Sequence, residues 1–586
     1  EILKGERGIR QHIIYLWGID CPATGELTLS SLKQSEAIIN GGVIHLIQAF
    51  LQGDRESTTD LWVITSGAQP VGAPGSSALA IAQSPLWGLG HVIALEYPAS
   101  WGGLIDLPVL KDEAETRAIV ASELFSEMED PDGEDQIAFR EGQRYVARLV
   151  RSRERPATHQ PLVLRSDATY WITGGLGGLG LQAARWLVDQ GAKHLVLTSR
   201  RGLPDRSQWP TTPESNDLGR KVAAIRALER LGAIVTVAKA DVAEESQMSA
   251  LWADLHRTHP PLRGIIHAAG TITACALGAL EMNQLLAVLR PKVLGTWLLH
   301  KLTQTEEGPE KALDFFLLYS SGASVWGSQG LGHYAAANQF LDVLAHHRAA
   351  LGLPALSINW GWWAGEGGVT SDLAAYFTRI GVKPMESKHS LAALKYLLET
   401  GAIQKTVAAI DWNLFKPIYE ARRARPLFEQ IQTLRKAEAK GTDQDESSQI
   451  VRRLQEVPET ERRELLFFHV RNEVARILGF KDPGLLDHGQ GFFKMGMDSI
   501  MTVQLRNRLE SSLGCSLPPT VAFEYPTIDA LTNFLVEDVI KFQEPSPPQS
   551  IVKPPEDKPV VKVPGHGHLS EEELVDLLAN KLQQMK

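Results

Sequence analysis

At 586 residues the chain is too long for one hydrophobic core, and roughly three to four domains are expected. A net charge of −10 leaves no basic excess to neutralise phosphates, which argues against a nucleic-acid-binding protein; at 44% hydrophobic and 22% charged, the chain has a soluble globular composition. Cys21, Cys275 and Cys515 stand far apart with no partner at metal-ligand spacing, so a reduced, cytoplasmic protein without a metal site is expected.

The chain opens at Glu1 with no signal-like leader and reads as a piece of a longer protein. Residues 1–155 mix β-rich runs such as Leu61–Thr65 with helical stretches and close on the strand-like Gln143–Val150. Their most membrane-like stretch, Ala78–Leu95, is interrupted by Gln83, Ser84, Pro85 and His91, which predicts a buried helix and turn and no membrane span. Residues 165–415 alternate apolar runs with longer helical patterns, predicting βαβ units around a parallel sheet. The expected strands there are Tyr170–Thr173, His194–Thr198, Ile234–Lys239, Gly264–His267, Phe315–Tyr319 and Ala355–Asn359. Residues 418–450 are charged and polar, as in an exposed connector, and 455–540 are helical in pattern. A Pro-rich tether at 541–568 leads to a last helix at 569–586.

The peptide Thr173-Gly174-Gly175-Leu176-Gly177-Gly178-Leu179-Gly180 directly follows an apolar strand and precedes the helical run Leu181–Gly191. Glycines in that context let the backbone approach a pyrophosphate at a helix N-terminus. The next strand ends in Ser199 and Arg200, where a cofactor site selective for a free ribose hydroxyl carries a carboxylate. An arginine suits a 2′-phosphate, so NADPH is expected; a solvated surface pair is the plain alternative. Asp241 and Val242 are placed to touch the adenine, and the small Ala268, Ala269 and Gly270 let the cofactor pass; His267 is given no proton-transfer role.

Reducing a ketone needs an acid for the developing alkoxide and a donor to polarise the carbonyl. Ser321 closes the run after Phe315–Tyr319, and Tyr334 follows thirteen residues later at the head of the helical segment Tyr334–Ala349. A phenol near its ordinary pKa of about 10 is sluggish at neutral pH, and a nearby lysine lowers it. The general short-chain dehydrogenase pattern places that lysine four residues after the tyrosine, where this chain has Asn338. Lys292, on an upstream helix, can supply the ammonium instead.

The segment YSSGASVWGSQGLGHYAAANQFLDVLA, with its upstream lysine, resembles the ketoreductase of modular polyketide synthases, in which lysine and asparagine exchange places. The resemblance covers about residues 1–415. It implies an α/β fold of two Rossmann-like subdomains: a truncated structural one containing SPLWGLGHVIALEYP at 84–98, and a catalytic one of short-chain dehydrogenase type. It also implies that Tyr334 donates the proton, Ser321 hydrogen-bonds the carbonyl, Lys292 lowers the tyrosine pKa and Asn338 supports the relay. Ile272-Thr273-Ala274 stand where D-hydroxyl members carry Leu-Asp-Asp, and Trp326, eight residues before the tyrosine, marks the L-hydroxyl class. Leu331 replaces the histidine of the subclass that selects an epimerised α-methyl group. Residues 364–385, with Gly365, Gly367 and Gly368, resemble the mobile lid of that family.

Asp498-Ser499 opens a helix whose Ile500, Val503, Leu505 and Leu509 are expected to point mainly inward. A serine there is ordinarily a cap. The peptide GMDSIM, with the closing FEYPT at Phe523–Thr527, resembles an acyl carrier protein, a small all-α bundle whose serine, here Ser499, carries 4′-phosphopantetheine. Ser570 and Glu573 pattern a capping box, and Leu574, Leu577, Leu578 and Leu582 form one stripe resembling a subunit-docking helix. The implied partners are upstream condensing and acyltransferase domains, a phosphopantetheinyl transferase and a downstream synthase subunit. The expected function is NADPH-dependent reduction of a carrier-bound β-ketoacyl thioester to the L-hydroxyl product. The alternatives are a non-reducing structural and carrier module and a free-standing dehydrogenase.

Overall fold

The computed structural model describes residues 11–51, 59–72, 79–109, 114–152, 161–211, 216–304, 313–365, 368–432, 450, 454, 457–480 and 482–539. The expected tether and last helix, 541–586, lie outside the described residues.

The first sheet runs β1 (Gln11–Tyr15), β2 (Thr59–Ser66), β3 (Trp101–Leu107), β4 (Gln136–Arg140) and β5 (Gln143–Val146), in chain order, parallel through β4 and antiparallel at β5. Helices cover both of its faces, so β2 and β3 are buried throughout and read as apolar runs without alternation. Leu61, Val63 and Leu104 face one core, while Trp62, Ile64 and Ile105 pack on Val120 and Leu124 across the sheet. The strand-like run expected to reach Val150 ends as β5 at Val146.

The second sheet contains β6 (Thr169–Thr173), β7 (His194–Ser199), β8 (Ile234–Lys239), β9 (Leu262–His267), β10 (Phe315–Ser321) and β11 (Leu356–Trp360). A short β12 (Val382–Lys383) leaves it to pair with β14 (Ala409–Ile410), while β13 (Gln404–Val407) adds an edge to the sheet. Its order is β13-β11-β10-β9-β6-β7-β8, all parallel. The direction of winding reverses between β6 and β9, which opens a crevice at the carboxyl ends of these strands. The first sheet, ordered along the chain, has no such reversal.

The subdomain of the first sheet holds that of the second through a close helix crossing. Pro85–Glu96 packs on Gly332–Ala350, and a Cβ built on Gly88 would stand 2.4 Å from the Ala335 carbonyl carbon. Trp87 and Leu89 share one core with Ala335, Ala336 and Phe340. Two polar ties flank the crossing. Glu96 accepts from the backbone N–H groups of Gly330 and Leu277, both at 2.8 Å, and His91 bonds the Ser324 carbonyl at 2.7 Å and Gln136 at 3.1 Å.

Residues 418–432, expected to belong to an exposed connector, are partly buried. The helix Trp412–Glu420 and the turn Pro426–Phe428 pack on the two α/β subdomains, burying Tyr419, Leu427, Phe428 and Ile431. These apolar residues lie in a segment whose average is polar, so composition alone hid the packing. The carrier region forms a bundle from Glu459–Leu478, Ser499–Leu513, Val521–Glu524 and Ile528–Phe534 around Val470, Phe492, Leu505, Leu509 and Leu531. Ile500, expected to point into that bundle, packs instead with Ile380, Val382 and Phe415 outside it. Among the described residues, no helix is long and apolar enough to cross a membrane.

Candidate active site and carrier serine

The glycine loop leaves β6 and turns straight into the helix Gly178–Asp189, three residues earlier than the apolar pattern suggests. Gly174 has φ 71°, and a Cβ there would meet Ala269 N at 2.7 Å; one on Gly180 would meet Gly174 O at 2.4 Å. The turn is therefore closed to larger residues, and the helix N-terminus faces the crevice. Thr173 is buried and hydrogen-bonds His267 Nδ1 at 2.7 Å, and burial lowers His267 to about 3. His267 is thus a neutral structural ring.

Two adjoining cavities run along the carboxyl ends of the second sheet. One, of about 580 Å³, is lined by Thr173, Leu176, Ser199, Arg200, Asp241, Val242 and Ala269 among others. Arg290 donates to Asp241 at 2.6 Å. Although burial raises the Asp241 carboxyl, the Arg290 and Ala243 donors hold it below the usual range overall. The other cavity, of about 490 Å³, brings Gly178, Leu179, Gly180, Lys292, Ser321 and Tyr334 together. Gly174, Gly177, Ala268 and Gly270 line both.

Lys292 is buried in the helix Met282–Gln304, and its Nζ donates to the Tyr319 carbonyl at 2.8 Å while standing 5.8 Å from the centre of the Tyr334 ring. Burial lowers its pKa to about 7, with Asp342 opposing. Burial also raises the Tyr334 phenol above its ordinary value; hydrogen bonds to Ser321 and Asn338 work against this. Ser321 and Asn338 therefore favour the phenolate against the effect of burial. Asn338 donates through Nδ2 to the Tyr334 carbonyl at 2.7 Å, and its buried Oδ1 has no partner.

Under this cluster lies a network that sequence patterning misses. Asp342 accepts from Ser357 and Asn359 at 2.6 Å and from Ser324 at 2.7 Å, and burial raises its carboxyl to about 6. The cleft wall also recruits Trp362, Trp363, Phe377 and Tyr419. The one signal for Trp362 and Trp363 is their place just past the end of a parallel strand. Trp326 and Leu331 line the cleft, whereas Ala274 sits on an exposed segment outside its lining. Of the expected lid, Gly368, Val369 and Phe377 reach the cleft; Thr370 caps the helix Ser371–Arg379 through Leu373 N, and Gly367 lies outside the described residues.

The chain's own groups fit a nicotinamide dinucleotide. The glycine turn admits close backbone approach, and the cavity continues to Arg200. In the carrier bundle, Asp498 caps the helix that Ser499 opens, accepting from Ile500 N at 2.9 Å and Met501 N at 2.8 Å. The capping role that a serine at a helix start would fill therefore belongs to its neighbour.

Residues 168–365 match the KR domain family, 469–535 the phosphopantetheine attachment site family, and 20–149 the Rossmann fold domain of the polyketide synthase extender module SpnB. A solved A-type ketoreductase from a modular polyketide synthase is 34% identical with a TM-score of 0.60, over 72% of this chain and 82% of that one. The chain belongs to the modular polyketide synthases. It combines a ketoreductase with a phosphopantetheine carrier domain, so a nicotinamide cofactor and a phosphopantetheine arm belong to it. The first ketoreductase of the tylosin synthase is 33% identical with a TM-score of 0.59, over 72% of this chain and 82% of that one. Erythronolide synthase EryA3 of Saccharopolyspora erythraea is 37% identical over 82% of this chain, and the pikromycin component PikAIII of Streptomyces venezuelae 35% identical over 84%. The chain spans 14% and 31% of the length of those two synthases.

Proposed function

We propose that this polyketide synthase segment reduces a β-ketoacyl thioester, carried on Ser499 through phosphopantetheine, to the L-hydroxyl thioester with NADPH. The observation that carries the reading is the meeting of Tyr334, Ser321 and Lys292 in the cleft beside the glycine turn, with Asn338 bonded to Tyr334. When bound, the nicotinamide supplies the hydride. Ser321 donates a hydrogen bond to the substrate carbonyl, and Tyr334 passes its phenolic proton to the same oxygen as negative charge grows there. Lys292 holds cofactor hydroxyls and adds positive charge, and Asn338 keeps the Tyr334–Ser321 pair in register and offers Oδ1 to the proton relay.

Arg200, beside Ser199 in the adjoining cavity, supports a 2′-phosphate and hence NADPH. Trp326 and Leu331 in the cleft wall support the A-type assignment, as does the likeness to solved A-type and A1-type ketoreductases at 34% and 35% identity. The reading places condensing and acyltransferase domains upstream, a phosphopantetheinyl transferase acting on Ser499, and a further synthase subunit downstream. The test is NADPH oxidation with a diketide thioester, followed by chiral analysis of the product. Absence of turnover refutes the reductase reading, and a D-hydroxyl product refutes the stereochemical one.

A further inference from the structure

We infer that the carrier domain docks on the wall of the reductase cleft through a charged and apolar patch built from Arg379, Arg422, Glu420 and the residues around Val382. This rests on the proposed reduction of a carrier-bound substrate and specifies where that carrier sits. The contacts converge on the residue beside the attachment serine. Arg379 Nη1 stands 3.3 Å from Asp498 Oδ2, at the C-terminal end of the helix Ser371–Arg379. Arg422 also interacts with the Asp498 carboxylate and lays its guanidinium over the Phe493 ring, 5.0 Å from the centroid. Across the same contact, Glu420 of the reductase, paired with Lys416 at 3.8 Å on its own helix, also feels the positive charge of Arg506 on the carrier. The charges are complementary on both sides.

Between these pairs, Ile500 is only 9% exposed and joins the apolar cluster of Ile380, Val382, Phe415 and Tyr419. Ile380, Val382 and Tyr419 also line the cleft that holds Tyr334. One apolar cluster therefore has the carrier helix on one side and the reaction space on the other. The helix Trp412–Glu420, which runs into the segment expected to be connector, packs directly on Ser499–Leu513. Arg379 is half exposed, and neither arginine lines either cofactor cavity, so both can be changed without touching the catalytic set. Half-exposed complementary charges such as Arg379 and Asp498 orient a partner and speed its arrival while adding little permanent affinity. That suits a carrier that must leave for other domains.

The test uses the full chain carrying R379E and R422E, loaded at Ser499 with a β-ketoacyl phosphopantetheine and quenched during a single turnover. The same preparation is assayed with a free β-ketoacyl cysteamine thioester. The expected result is a fall of about ten-fold or more for the carrier-bound substrate, with the free thioester reduced within about two-fold of the unaltered chain. R379K with R422K should restore the carrier-bound rate. An unchanged carrier-bound rate overturns the docking surface, and so does an equal fall for both substrates, which would mean that the arginines act through the cleft. If the unaltered chain reduces neither substrate, the reductase reading fails, and docking is judged separately by amide hydrogen exchange. Faster exchange in 412–422 of the charge-reversed chain supports the contact; identical exchange overturns it.

Discussion

Replacing Gly88 by alanine tests whether the structural subdomain sets the position of the catalytic tyrosine. The new methyl would stand 2.4 Å from both C and O of Ala335 and 2.5 Å from Ala336 N. All three are backbone atoms, so no side-chain rotation relieves the clash. Carbon atoms in contact sit about 3.5–4.0 Å apart, so the two helices must part by roughly 1 Å. Overpacking of this kind costs about 1–3 kcal/mol. At about 2–4 °C per kcal/mol for a domain of this size, Tm should fall by roughly 2–12 °C. Tyr334 precedes Ala335 on the displaced helix, and a misplacement of about 1 Å can cost up to roughly 100-fold in rate. We expect kcat/KM for a free thioester to fall by about 10–100-fold, with NADPH still bound. G25A is the control, because a Cβ on Gly25 meets nothing within 4 Å. Thermal unfolding and the loss of NADPH absorbance give both numbers. If G88A matches G25A in Tm and kcat/KM, the crossing does not position the tyrosine.

Three further outcomes are expected. Y334F removes the proton donor and should lower kcat by roughly 10²–10⁴-fold while NADPH affinity, followed by fluorescence, stays within about two-fold; a smaller loss would assign the proton to another group. R200D removes the charge that suits a 2′-phosphate and should swing the NADPH-to-NADH ratio of kcat/KM by about ten-fold or more, so an unmoved ratio refutes the role of Arg200. Glu36 is buried, which raises its carboxyl well above the usual range, against a hydrogen bond from Asn40 at 2.8 Å. Its folded pKa exceeds the unfolded value of about 4.3, so its contribution to stability is full below that pH and is lost as pH rises through the folded pKa. E36Q should therefore raise Tm at pH 8, with the gain shrinking toward pH 5. A gain that is constant with pH would mean that ionisation is not the cause.

The glycine turn, the parallel strands and the carrier helix were legible because each is written in consecutive residues. The strand-turn-helix peptide 173–180 needs φ 71° at Gly174 and close approach at Gly180, and both demands appear as glycine. Apolar runs buried on two faces announce β6, β9, β10 and β11 almost to the residue. The edge strand β13 (Gln404–Val407) escaped notice because its half-exposed QKTV lacks an apolar run. The grouping of Lys292, Ser321, Tyr334 and Asn338 came from resemblance, since no local pattern relates a residue of one helix to another 42 positions away.

How those groups are poised follows from the folded packing alone. It turned the Lys292 ammonium onto the Tyr319 carbonyl, set Ser321 and Asn338 against the burial of the phenol, and placed Asp342 beneath them. It also drew 418–432 onto the reductase and turned Ile500 away from its own bundle. Local backbone demands and strand burial leave a mark in neighbouring residues, which is why the parallel strands, the phosphate turn and the carrier helix could be read from the chain, while the two-subdomain plan came from resemblance. Which side chain meets which across hundreds of residues depends on how faces pack, and a packed face carries no signal of its partner until both are folded.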